Sequence, residues 1–164
     1  MKPTVTHILF TTDLSQNSTY ALSHAASMAK ATGAKLHVLH VVEPLSDDAR
    51  ITIQMFIQDE ASRKNAMSTR SDHVKTVLAE RQKNFWAALP EEDQDVREQV
   101  ESIEIVEGHP AEVILRRAKE LQCDLIVLGA HDHGFSHTFL GTVAKRVLRR
   151  ADIPTLVVPY KASE

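Results

Sequence analysis

Gly129, Gly141 and Thr142 bracket a polar stretch that also carries His131, Asp132, His133 and His137. The stretch follows an apolar run, Leu125-Ile126-Val127-Leu128, and precedes a segment with helical spacing that Gly141-Thr142 opens. Glycine lets a backbone approach a ligand closely, and first-turn helix N–H groups have no intrahelical acceptor, so this pattern suits an anion. A second apolar run, Leu156-Val157-Val158, closes the unit, which reads strand–loop–helix–strand. Ligands of parallel α/β sheets sit at such carboxyl strand ends, and a nucleotide phosphate is the leading candidate. Turn and cap chemistry is the structural alternative for Gly129, Gly141 and Thr142. The three imidazoles also raise a metal reading, since His-x-His on extended backbone can chelate zinc or nickel.

The elements that position this loop follow from periodicity. Residues 6–12 form a first strand, and Asp13 and Ser15 follow it directly, with Ser15 suited to cap a helix. Asp13 can share that capping role. Ala21, Leu22, Ala25, Met28 and Ala29 recur at helical spacing, and Gly33 ends the helix. Residues 35–42 (KLHVLHVV) read as a buried parallel strand. Residues 43–99 then change character. Ile51, Met55 and Phe56 form one apolar stripe, and Val74, Leu78, Arg81, Phe85 and Leu89 another, which predicts amphipathic helices. A break at 65–71 is left open, 90–93 read as a solvated acidic turn, and the Phe85-Trp86 pair as helix packing with Trp86 partly exposed at an interface. A polar-alternating strand over 102–106 lies near a sheet edge, and Pro110 starts the next helix at its first position. Strands at 124–128 and 155–158 flank a helix over 142–150. Strand–helix alternation throughout predicts one domain over 1–164, a three-layer α/β fold with a five-stranded parallel sheet covered on both faces.

Composition narrows the function classes. Acidic residues outnumber basic ones by three, so a polyanion binder is not expected, and Lys145, Arg146, Arg149 and Arg150 read as support for a helix C-terminus. The single cysteine, Cys123, reads as a buried structural thiol. No run approaches membrane-spanning length, and Ile8-Leu9-Phe10 is too short for a signal peptide, so a cytoplasmic location is expected. The five glycines build neither a Walker A loop nor G-x-G-x-x-G, and no G-x-S-x-G elbow occurs. No nucleophile–base–orienter set is visible by position.

TTDLS after the first strand, LHVV in the second, and LGAHDHG, LGTVAKRVL and PTLVVP in order resemble the universal stress protein family over nearly the whole chain. Only the charged 47–99 region matches loosely. The resemblance implies a binding module that takes ATP or AMP between the ends of strands one and four, with at most slow ATP hydrolysis. It implies that Asp13 accepts from the adenine edge, that Thr11 and Thr12 lie beside base and ribose, and that the Val41 backbone contacts adenine. Gly129, Gly141 and Thr142 match the family's G-x2-G-x9-G-[ST] loop, and Val143 follows as expected. Asp132 stands where the second glycine belongs, eight residues rather than nine before Gly141. A carboxylate there repels phosphates unless Mg2+ or Mn2+ bridges them. The resemblance further implies a homodimer paired through residues 154–159. Two other readings stay open: a stress-related homodimer that has lost nucleotide binding, and a metal protein using His131, His133 and His137.

Overall fold

The computed structural model describes residues 4–130 and 140–159. Strand β1 (His7–Thr12) leads into helix α1 (Gln16–Thr32), which Ser15 caps by accepting from the Ser18 N–H at 3.3 Å. Gly33 ends α1 in the left-handed conformation, φ 72°, which a side chain would disfavour. The buried face of α1 is mostly alanine (Ala21, Ala25, Ala26, Ala29), so the helix lies close on the sheet. β2 (Lys35–Val42) follows with the predicted bounds.

The middle region departs from expectation. α2 (Asp47–Phe56) starts at the predicted acidic turn, with Ser46 as its cap, but buries none of its residues; Ile51, Met55 and Phe56 are all exposed. No break occurs at 65–71, because α3 runs unbroken from Glu60 to Ala88. The interruption falls at 57–59 instead. There Ile57 is extended, and the Asp59 carboxylate accepts from the Ala61 and Ser62 N–H groups and the Ser62 hydroxyl, a strong N-cap. The second half of α3 packs on the sheet through Leu78, Gln82, Phe85 and Trp86. Trp86 is therefore not partly exposed: it is 5% accessible, and its indole N–H donates to Gln82 Oε1 at 3.1 Å within the core. The acidic turn is a 3-10 helix, Glu91–Gln99, fastened by Lys30 Nζ to the Glu92 carbonyl and the Asp93 carboxylate.

β3 (Val100–Glu107), α4 (Pro110–Glu120), β4 (Leu125–Gly129), α5 (Thr142–Arg150) and β5 (Thr155–Val158) complete the order. All pairings are parallel, and the strands lie β3-β2-β1-β4-β5, so β3 occupies an edge as expected. One apolar core joins α1, α3 and the 3-10 helix to Ile8, Phe10, Leu36, Val38 and Val127. The other joins α4 and α5 to Leu9, Leu39, Ile126 and Leu128. Alternate residues of β1, β2 and β4 thus feed opposite faces, the signature of a doubly covered sheet.

Asp124 lies one residue before β4 rather than within it. Its carboxylate accepts the Thr6 N–H, the Thr6 hydroxyl at 2.8 Å and the His7 N–H, stitching the amino ends of β1 and β4 together. Burial works to raise its pKa, but those donors together outweigh it and hold the carboxyl below the usual range. Cys123 is buried, and desolvation pushes its thiol up to about 12, an unreactive state that agrees with a structural role. Among the described residues no helix is long and apolar enough to cross a membrane.

Candidate functional site

The chain order reverses direction between β1 and β4: β1 to β3 build outward on one side, and β4 returns to pair on the other side of β1. A crevice opens at the carboxyl ends of these two strands, because the helices that come after them, α1 and α5, pack on opposite faces of the sheet. A cavity of ≈ 640 Å3 occupies that place. Thr11, Thr12, Asp13, Val41, Gly129, Thr142 and Val143 all line it. Gly141 is not among the lining residues; it is the N-cap residue of α5, its N–H donating to the Ala130 carbonyl at 2.7 Å. Asp132, and with it His131, His133 and His137, lies outside the described residues.

The turn after β1 is held by its own side chains. Thr12 Oγ1 lies 2.6 Å from Ser18 Oγ and accepts the Leu14 N–H, while Asp13 Oδ1 accepts both the N–H and the hydroxyl of Ser15. His40 Nδ1 sits 2.7 Å from the Thr12 carbonyl. These bonds hold Leu14 at φ 66°, a left-handed conformation costing a branched side chain about 1–2 kcal/mol. Asp13 therefore performs the helix-entry role that its position beside Ser15 suggests, and its residue also faces the cavity.

Val41 reaches the cavity for a register reason. β1 pairs with β2 as far as Thr12 opposite His40, so β2 runs on past the end of its neighbour. Lys35 directs its N–H toward β1, to the Thr6 carbonyl, and Val42 directs its carbonyl away, to the Gly108 N–H. By the two-residue period of a strand, the Val41 carbonyl turns to the β1 side. The next N–H in that series, Leu14, is given to Thr12 Oγ1, so the Val41 carbonyl opens on the cavity. Gly108 makes this junction possible. Its φ is 155°, and a β-carbon there would lie 2.6 Å from Val113 Cγ2.

Gly129 and α5 form the other wall. Nothing among the described residues lies within 4 Å of a β-carbon built on Gly129, and its backbone is not in the positive-φ region. The strand itself thus gives no reason for glycine. No side chain of the described residues caps the amino end of α5, where Thr142 is the first helical residue. First-turn N–H groups and a threonine hydroxyl are the kind of donors that an anion meets at a helix amino end.

Several lining residues escaped the sequence reading. His40, Glu43, Arg70 and Val74 arrive from β2 and α3, and Pro110, Ala111 and Ile114 from α4. Arg70 Nη2 donates to the Glu43 carbonyl at 3.2 Å, which brings α3 over the rim. Arg146 also lines the cavity and so does not merely support the α5 carboxyl end, where Arg149 and Arg150 already stand. Only the apolar spacing of Pro110, Ala111 and Ile114 hinted at a shared α4 face; nothing local marked Arg70. Among the described residues no group of three His, Cys, Asp or Glu side chains could hold a metal ion.

The profile of the universal stress protein family matches residues 4–159. Universal stress protein MJ0577 of Methanocaldococcus jannaschii is 28% identical over 157 residues, 95% of this chain and 96% of that protein. A universal stress protein of Thermus aquaticus is 30% identical over 152 residues, 92% of this chain and 96% of the relative. Among solved structures, MJ0577 superposes with a TM-score of 0.72 at 25% identity, covering 98% of this chain and 100% of that one. A universal stress protein in complex with cAMP shares the fold at TM-score 0.61 and 22% identity, over 95% and 98% of the two chains. One from Archaeoglobus fulgidus in complex with dAMP does so at 0.51 and 19%, over 93% and 96%. With the five-stranded parallel order, the matched span and these relatives agreeing, the chain belongs to the universal stress protein family.

Proposed function

We propose that this protein is a cytoplasmic stress-response module that binds an adenine nucleotide, ATP or AMP, in the cavity at the carboxyl ends of β1 and β4. The observation that carries the reading is Gly129: a glycine that the strand does not require, with nothing among the described residues within 4 Å of a β-carbon built on it, in a cavity that Asp13, Val41 and Thr142 also line. Asp13 and the Val41 carbonyl are suited to accept from the amino group of adenine. Gly129, Gly141, Thr142 and Val143 are suited to cradle phosphate, and Thr11 and Thr12 to border the ribose. Asp132 follows two residues after Ala130, and a Mg2+ or Mn2+ ion would reconcile its charge with the phosphates. The relatives solved with cAMP and dAMP support a purine nucleotide as the ligand class. The reading is one of binding, with at most slow ATP hydrolysis.

Calorimetric titration with ATP and AMP, with and without Mg2+ or Mn2+, tests the reading. Asp13→Ala should weaken the bound nucleotide by about 1–3 kcal/mol, since a charge-assisted hydrogen bond is lost. Unchanged affinity in a folded variant removes Asp13 from the site, and no binding to the parent protein rejects the nucleotide reading.

A second copy of the chain is the other proposed partner. β5 ends the strand order with Thr155, Leu156 and Val157 half-buried, an uncharged strand with no further strand beside it among the described residues, of the kind that pairs with its two-fold mate. Pro154 and Pro159 limit that pairing to 154–159. Val157→Lys should move sedimentation from dimer to monomer, and a monomeric parent at micromolar concentration would overturn the assembly.

A further inference from the structure

We propose that Arg146 makes the cavity prefer a nucleoside triphosphate over a monophosphate; the inference rests on the nucleotide reading of the same site. Arg146 is four residues after Thr142 on α5, so the two share one helix face, one turn apart. Helical side chains lean toward the amino end of their helix, which carries the Arg146 guanidinium back over the first turn and the Thr142 hydroxyl. Both residues line the cavity.

Helix stability does not explain a cation at this position. It is the fifth residue of a nine-residue helix, short of the last turn where Arg149 and Arg150 complement the dipole. Arg146 is exposed and has no carboxylate partner among the described residues. The other lining guanidinium, Arg70, already spends a donor on the Glu43 carbonyl, and the remaining charged lining residues, Asp13 and Glu43, are acidic. Among the described residues Arg146 is the lining guanidinium carried by α5 itself, and so the one placed to meet negative charge that extends beyond the amino end of that helix.

On the nucleotide reading, the first phosphate lies beside the amino end of α5, next to Thr142 and Val143, which line the cavity. Further phosphates carry more charge and must continue past that point, within reach of the Arg146 fork. A guanidinium grips such oxygens in pairs, which a lysine ammonium does not. The triphosphate therefore gains an interaction that the monophosphate lacks, and selectivity follows from the difference.

The test is calorimetric titration of ATP, ADP and AMP, with Mg2+ present and absent, against the parent, Arg146→Gln and Arg146→Lys. The parent should favour ATP over AMP by about tenfold or more, and Arg146→Gln should lose about tenfold in ATP affinity. AMP affinity should change by less than about threefold, and Arg146→Lys should recover part of the ATP loss. Because Arg146 is exposed, the ligand-free melting temperature should stay within a few degrees in both variants. Equal losses for ATP and AMP, or an unchanged ATP affinity, overturn the proposal while leaving the nucleotide reading intact. A parent protein that binds none of the three overturns both.

Discussion

Gly129→Val should lower adenine-nucleotide affinity by about 100-fold and leave the ligand-free protein as stable as the parent, within about 2 °C in melting temperature. The two halves of this expectation have separate causes. Gly129 ends β4 opposite Val158, an extended position that a β-branched residue adopts readily. Among the described residues nothing comes within 4 Å of a β-carbon there, so these residues leave room for the start of the new side chain. That room is the cavity, and two added methyl groups would stand where a phosphate or ribose approaches the backbone. Isothermal titration with ATP beside a thermal melt reads both quantities. A variant that melts early yet binds normally would reverse the argument, since the glycine would then serve the fold and not a ligand.

Ile114→Ala should destabilise the protein by about 2–4 kcal/mol, a melting decrease of roughly 5–15 °C. Ile114 is 1% exposed and belongs to the α4–α5 core with Leu39, Ile126 and Val147, yet it also forms part of the cavity wall. Truncation removes buried methyl groups and leaves a gap that α4 can close only by tilting toward the sheet. Such a tilt would carry Pro110 and Ala111, which share the wall, with it. Saturating ATP should therefore recover a smaller share of stability in the variant than in the parent. At a ligand concentration 100 times the dissociation constant, the recovery in a well-fitted site is about 2.7 kcal/mol. Differential scanning calorimetry with and without ATP measures both effects. A melting decrease below about 2 °C would show that Ile114 is not a packing residue of the core.

Exposed α2 illustrates where period alone misleads. Ile51, Met55 and Phe56 have the spacing of a buried stripe, but the sheet is already covered on one face by α1 and the second half of α3 and on the other by α4 and α5. A stripe states that a helix has an apolar face; it does not state that a surface remains for it. Trp86 errs in the opposite sense. It is expected to be partly exposed at an interface, whereas Gln82, one turn earlier, supplies the acceptor that permits its burial.

Local chemistry made the framework legible. The bounds of β2, α5 and β5, the Ser15 cap, Gly33 at the end of α1 and Pro110 at the start of α4 all depend on residues within a few positions of each other. Hydrophobic period and cap preference act over that range, so sequence alone determined the strand–helix order, the parallel sheet, the strand ends near Asp13, Val41 and Gly129, and the helix start at Thr142. Tertiary structure decided what gathers around those ends. Arg70 meets Glu43 across 27 positions, Asp124 meets Thr6 across 118, and Ile114 and Arg146 face one cavity from different helices. Such meetings depend on how each helix is rotated and tilted on the sheet, and on β2 outrunning β1 by two residues. Those quantities are set by packing both cores at once, and no window of sequence contains them.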